Sequence, residues 1–185
     1  MITTDQFKNG LTIKLDGKLY TMLEFQHVKP GKGSAFVRTK LKNVKLKTVI
    51  EKTFDAGIKI EEAFIEDKKL RFSYKSGTRY HFMDGRSYEQ YEFEEDQLGE
   101  GVKFLKENLE VSIRFHEGEL LELILPIFVE LKVEESEPGV RGDTARNTMK
   151  PARVETGAII QVPLFVQEGD TIKIDTRTGE YMGRA

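Results

Sequence analysis

Glycine-bearing turns interrupt this chain every few residues, splitting runs of alternating apolar and polar side chains, and that pattern limits it to a β fold. LTIKL and KLYTMLEF flank Asp16-Gly17, a dipeptide suited to the two-residue turn between antiparallel strands because both of its residues tolerate positive φ. LRFSYK and TRYHFMD flank Ser76-Gly77 in the same way, with Leu70, Phe72 and Tyr74 alternating inward. LEVSIRF and ELLELIL flank His116-Glu117-Gly118, and Leu109, Val111, Ile113 and Phe115 fall at every second position. SAFVRTKLKNV, TVIEKTF, IKIEEAFIED, VELKVEE, AIIQVPLFV and DTIKID read as further strands, the last followed by a turn at Thr178-Gly179. Only Leu98, Val102, Leu105 and Leu109 are spaced as on a helix, and Gly99 and Gly101 predict that it is short.

Many short strands closed by tight turns favour small barrels over one large sandwich. A barrel of roughly 60 residues closes with five or six strands, so 185 residues suffice for about three. The seams are expected at Ile65-Glu66-Asp67 and Pro126-Ile127, dividing the chain into 1–65, 66–127 and 128–185. The fold class is therefore all-β, with no helix–strand alternation of the kind that builds α/β enzymes.

The chain has no cysteine, which excludes disulfides and thiolate metal sites. It holds no apolar run near the ~20 residues of a membrane span. MITTDQFKNG lacks the basic-then-apolar design of a secretory leader, so a cytoplasmic protein is expected. A net charge of −2 conceals segregation: residues 27–52 carry +7, while 84–110 and 117–137 carry −6 each. A basic lobe in an acidic chain suits a protein that meets a polyanion with one end.

Enzyme chemistry finds little support. His27, His81 and His116 are widely separated and lack metal-ligand spacing. GKGS at 31–34 fails as a phosphate-binding loop, because Gly33 follows Lys32 and Gln26 stands at the upstream glycine position. RGD at 141–143 is a tripeptide that arises by chance, and Glu94-Glu95 reads as a solvated linker before the helix. No cofactor or metal is implied.

The segment HVKPGKGSAFVRTKLKN is more specific. Pro30 fixes φ, Gly31 and Gly33 allow positive φ, and together they mount Lys32 at the apex of a reversal that continues into Ser34. Lys29 precedes the tip. Beyond it, Arg38, Lys40 and Lys42 alternate with Val37, Thr39 and Leu41, so a strand would carry three cations on one face at about 6.6 Å spacing. Such a row matches phosphates along a single strand; equally, it fits a plain hairpin with solvated lysines.

These residues also resemble the bacterial elongation factor P family. One signature is KPGKGSAFVRTKLKN with EKTF at 51–54; a second is KPARVETGAIIQVPLFVQEG at 150–169. YHFMD, ELKVEESEPGVRGDTA and the closing GEYMGR lie between and around them, so the resemblance runs the whole chain. It implies three barrels, an SH3-like (KOW-like) domain followed by two OB folds, in an L-shaped, tRNA-like arrangement. It implies no enzyme, but a factor that binds the 70S ribosome between the peptidyl-tRNA and exit sites and rescues synthesis at consecutive prolines. Its partners would be the acceptor arm and CCA end of the peptidyl-tRNA, the exit-site codon, and an enzyme that modifies a lysine.

By the same resemblance, Lys32 occupies the tip position of the functional, commonly modified side chain, within Pro30, Gly31, Gly33 and Ser34. Lys29, Arg38, Lys40 and Lys42 would contact tRNA or ribosomal RNA. Asp143, Thr144, Tyr181 and Arg184 match contact residues of the third domain, although Tyr181 is open to a second reading as closure of that domain. Thr148-Met149 departs from the paired glycines that some members carry there. Two other readings share the pattern: a paralogue of the same architecture acting on other stalls, and a general OB-type binder of single-stranded RNA.

Overall fold

The computed structural model describes residues 1–138 and 148–185, and the secondary structure is almost entirely β. Three small barrel-like sheets follow one another along the chain. The first is built from β1 (Ile2–Thr3), β2 (Thr12–Leu15), β3 (Lys18–Val28), β4 (Phe36–Asn43), β5 (Val49–Asp55) and β6 (Lys59–Glu62), in the order β1-β6-β2-β3-β4-β5. The second uses β7 (Glu66–Ser76), β8 (Arg79–Asp84), β9 (Gln90–Glu94), β10 (Glu110–His116) and β11 (Glu119–Ile124), ordered β11-β10-β7-β8-β9. The third orders β12 (Phe128–Ser136), β13 (Met149–Val154), β14 (Ile159–Pro163), β15 (Thr171–Asp175) and β16 (Glu180–Arg184) as β14-β13-β12-β15-β16.

Local turn chemistry explains the hairpins. Asp16 (φ 50°) and Gly17 (φ 73°) form a turn with positive φ at both central residues, and Glu117 (φ 52°) and Gly118 (φ 82°) do the same between β10 and β11. Alternation then sets the core: Val111, Ile113 and Phe115 are buried, as are Val37 and Leu41 on β4. The first core gathers Ile2, Phe7, Leu11, Ile13, Met22, Val37, Leu41, Phe54 and Ile60. Phe7 and Phe54 meet edge to face with centroids 5.7 Å apart.

Two expectations need correction, and the helix, short as expected, lies earlier than the Leu98 to Leu109 spacing placed it. Tyr74 does not point inward; it is 51% exposed, because the β7–β8 register shifts between Phe72 and Tyr74 and the extra residue turns it outward onto His81. The helix is a single turn, α1 (Glu95–Leu98), which passes into a 3₁₀ segment, Gly99–Phe104, where Gly99 adopts φ 70°. Glu94 and Glu95 are not merely solvated. Glu94 accepts from Thr78 Oγ1 (2.8 Å) and Arg79 Nε (2.9 Å), which together hold its carboxyl below the usual range, and Glu95 pairs with Lys75 at 2.7 Å.

The chain divides into two compact units, residues 1–67 with 114–122, and residues 68–113 with 123–185. The segment 114–122 belongs to the first through Lys47–Glu122, Arg114 Nε to Asp67 Oδ1 at 3.0 Å, and His116 Nδ1 against the Phe64 carbonyl at 3.0 Å. Among the described residues no helix is long and apolar enough to cross a membrane, and no cluster of three or more acidic or histidine side chains could hold a metal ion.

Candidate nucleic-acid interface

The longest strand pair of the first sheet carries the basic segment. β3 and β4 pair antiparallel from Tyr20–Asn43 to Val28–Phe36 and leave residues 29–35 as the connecting tip. Lys29, Pro30, Gly31, Lys32, Gly33 and Ser34 are all exposed. Gly33 has φ 108°, a backbone that favours glycine, and a Cβ there would approach Pro30 Cγ at 3.7 Å. Gly31, expected to share that conformation, does not have positive φ. The reversal is thus made at one glycine, with Lys32 immediately before it.

On β4 the inward residues Val37, Thr39 and Leu41 are buried, and Thr39 Oγ1 donates to the Lys52 carbonyl at 2.8 Å. Arg38, Lys40 and Lys42 are exposed on the other face, as alternation predicts. They are not equivalent. The Arg38 guanidinium lies 5.5 Å from the centre of the Phe36 ring. Lys40 Nζ sits 2.9 Å from Glu24 Oε2, and Glu51 faces it across β5. The Glu24 hydrogen bond and charge, with a smaller contribution from Glu51, raise the Lys40 pKa above its ordinary value. Elsewhere in the basic block, Lys47 is committed to Glu122, and Lys52 lies 5.8 Å from the Phe54 ring centre. Glu24 and Glu51 were not singled out from the sequence. The available signal was that Glu51 is the one acid among residues 27–52.

The third-sheet candidates lie apart from this surface in the chain. Tyr181 is half-buried, pairs with Ile174, and packs against the core of Val129, Leu131, Ile172 and Ile174. Arg184 is exposed; its guanidinium donates to Asp170 Oδ2 at 2.8 Å and to the Phe165 carbonyl at 3.2 Å, and stands over the Phe165 ring. Asp143 and Thr144 lie outside the described residues. Met149 opens β13 and is exposed.

The second sequence signature has a packing rationale. Lys150 is buried and donates through Nζ to the Glu137 carbonyl at 2.6 Å. Ala152 and Val162 sit in the core, and Gly157 (φ 86°) and Gly169 (φ 87°) occupy turns that need a left-handed residue.

Three family models cover nearly the whole chain: the elongation factor P KOW-like domain over residues 3–60, the OB domain over 65–123, and the C-terminal domain over 129–184. An elongation factor P of Natranaerobius thermophilus is 54% identical over 184 residues, spanning 100% of this chain and 98% of that relative. One from Thermoanaerobacter sp. is 53% identical over 100% of both chains, and one from Corynebacterium aurimucosum is 54% identical over 100% of this chain and 98% of its own. Among solved structures, a eukaryotic translation initiation factor 5A from Methanococcus jannaschii matches with a TM-score of 0.51 at 24% identity, covering 66% of this chain and 92% of that one. An initiation factor 5A family protein from Naegleria fowleri gives 0.55 at 14% identity, over 67% and 96%. Those two likenesses concern the fold; the models and relatives, which run the length of the sequence, place this chain in the elongation factor P family.

Proposed function

We propose that this translation elongation factor binds the ribosome between the peptidyl-tRNA and exit sites and promotes peptide-bond formation at consecutive prolines by positioning the peptidyl-tRNA. The observation that carries this reading is the exposed tip: Lys32 stands free of the first core, ahead of Gly33 and in line with an exposed cationic strand. Lys32, lengthened by a modifying enzyme of the cytoplasm, would reach toward the CCA end. Lys29, Arg38 and Lys42 would hold phosphates of the acceptor arm and set its register, with Lys40 joining once released from Glu24. Asp143 and Thr144, with Arg184, would meet the exit-site side, and Tyr181 would support them from the core.

Proline's ring restricts the geometry in which peptide bonds form, so a loosely held peptidyl-tRNA samples few reactive arrangements. Holding its acceptor end against a stiff hairpin would reduce the search, and restraint of this kind can lower a barrier by several kcal/mol, with ~7–11 as the upper range for well-oriented reactants. The bond-forming chemistry stays with the ribosome.

Lys32→Ala is expected to leave the circular dichroism spectrum and ribosome occupancy unchanged while full-length synthesis from a Pro-Pro-Pro reporter drops to the level without factor. Equal synthesis by variant and wild type at equal occupancy would remove Lys32 from the mechanism. Intact mass of protein purified from its native cell, followed by mass analysis of the peptide bearing residue 32, reads the modification directly.

A further inference from the structure

The outward face of the first sheet is not uniformly basic. Cross-strand register arranges it in rows: Gln26-Arg38-Thr53 nearest the tip, then Glu24-Lys40-Glu51, then Thr21-Lys42-Val49. The outer two rows each hold one cation and no acid. The middle row holds one cation between two carboxylates, with Glu24 2.9 Å from Lys40 Nζ. A phosphate chain laid along Arg38, Lys40 and Lys42 would therefore meet negative charge on both sides of its central contact.

Neither acid is needed for packing. The Glu24 side chain is 66% exposed and Glu51 is exposed as well. The neighbouring row fills the equivalent positions with the neutral residues Gln26 and Thr53, so the strands do not require carboxylates there. Glu24 reaches its place only because the β3–β4 register shifts between Met22 and Glu24; regular alternation from the buried Met22 would have turned Glu24 inward.

We infer that Glu24 and Glu51 are specificity-determining residues that hold Lys40 back from the phosphates of arbitrary RNA. The inference rests on reading this face as an RNA contact. Arg38 and Lys42 stand about 13 Å apart along the strand. An RNA that fits both has its phosphates placed to draw Lys40 away from Glu24, and an exposed ion pair is weakly enough held for that exchange. A strand that fits neither meets only the middle row, where two carboxylates outweigh one cation, and leaves. Selectivity of this kind comes from penalising the wrong partner as much as from favouring the right one.

The test titrates the full-length protein against labelled mixed-sequence single-stranded RNA across a salt series, and separately against ribosomes. The Glu24→Gln/Glu51→Gln double variant is expected to bind free RNA several-fold more tightly. Its plot of log affinity against log salt should steepen by about 0.7, the increment for one further phosphate contact on a single strand. Adding Lys40→Ala should abolish both gains, and ribosome affinity should rise less than free-RNA affinity. Glu24→Asp/Glu51→Asp, which keeps both charges, should bind free RNA as the wild type does; a gain equal to that of the glutamine variant would overturn the charge argument. If the glutamine variant leaves affinity and slope unchanged while Arg38→Ala or Lys42→Ala weakens binding, the glutamates have no such role although the face still binds RNA. If Arg38→Ala and Lys42→Ala also leave RNA and ribosome binding untouched, the reading of the face fails, and this inference with it.

Discussion

Asp175 organises the turn between β15 and β16. Its side chain accepts from Arg177 Nε at 3.0 Å and Nη2 at 2.6 Å, and from the Arg177 backbone N–H at 2.9 Å, while its carbonyl takes the Gly179 N–H at 2.7 Å. The guanidinium, then the backbone donors, hold the carboxyl down at about 2. An unfolded aspartate titrates near ~3.9, so the folded value is the lower one. The contribution of this group is therefore complete above about pH 4 and is lost progressively as pH falls toward about 2. Asp175→Asn should be less stable than the wild type at neutral pH, and the gap should close across that acid window. Urea unfolding at stepped pH reads the difference directly; a gap that stays constant from neutral pH to pH 2 would mean that Asp175 titrates normally in the fold. On the basic segment the opposite sign operates: Glu24, at hydrogen-bond distance from Lys40, raises that lysine's pKa.

Irregular pairing decides which side chains a hairpin presents, and both β3–β4 and β7–β8 carry a register shift. Phe72 and Tyr74 would share the core face of a regular β7, yet the register shift between them leaves Phe72 4% and Tyr74 51% exposed. Phe72→Ala should then cost about 3–5 kcal/mol, the range for a buried aromatic. Tyr74→Ala should cost about 0.5–1.5 kcal/mol, because it loses a stacked contact with the His81 ring (centroids 4.4 Å apart) rather than a core position. Equal losses, measured by chemical denaturation, would contradict the bulge. This is also where the sequence stops being readable. Asp16-Gly17 and Glu117-Gly118 announce their turns because positive φ is a local property, and Val37, Thr39 and Leu41 follow from alternation around a tip that glycines define. A bulge depends on the partner strand. No pattern within β3 says that Glu24 faces outward beside Lys40, and no pattern within β7 says that Tyr74 faces outward. The exposed tip and the three-cation row were therefore legible, whereas the acids that bracket Lys40 were not. Tyr181 and Arg184 could be matched to a family pattern, but the core packing of Tyr181 and the pairing of Arg184 with Asp170 needed coordinates.

At the scale of the whole molecule, the seam expected at Pro126-Ile127 is tied on both sides. Phe104, at the end of the 3₁₀ segment that follows α1, is 1% exposed within the core formed by Val129, Leu131, Val133, Val162 and Ile174 of the third sheet. Leu109 and Leu125 pack against the same core, and a Cβ at Gly179 would lie 3.7 Å from the Phe104 ring. Thr156 Oγ1 donates to the Lys103 carbonyl at 2.6 Å, Lys106 Nζ to the Glu130 carbonyl, and Thr176 Oγ1 to the Pro126 carbonyl at 2.6 Å. Residues 68–113 and 123–185 accordingly form one compact unit. A side chain contributed from outside the third sheet but buried within it makes that sheet's stability depend on residues 99–106. Phe104→Ala should therefore lower stability by about 3–5 kcal/mol through the cavity it leaves. The added hydrogen exchange should appear in β12 and β15, which lie distant from it in sequence, as well as locally. A fragment beginning at residue 128 lacks Phe104 altogether and should melt at a lower temperature and less cooperatively than the third sheet does in the full chain. If that fragment melts like the full chain, and Phe104→Ala leaves exchange in β12 and β15 unchanged, the third sheet folds independently and the ties across residues 126–127 carry no stability.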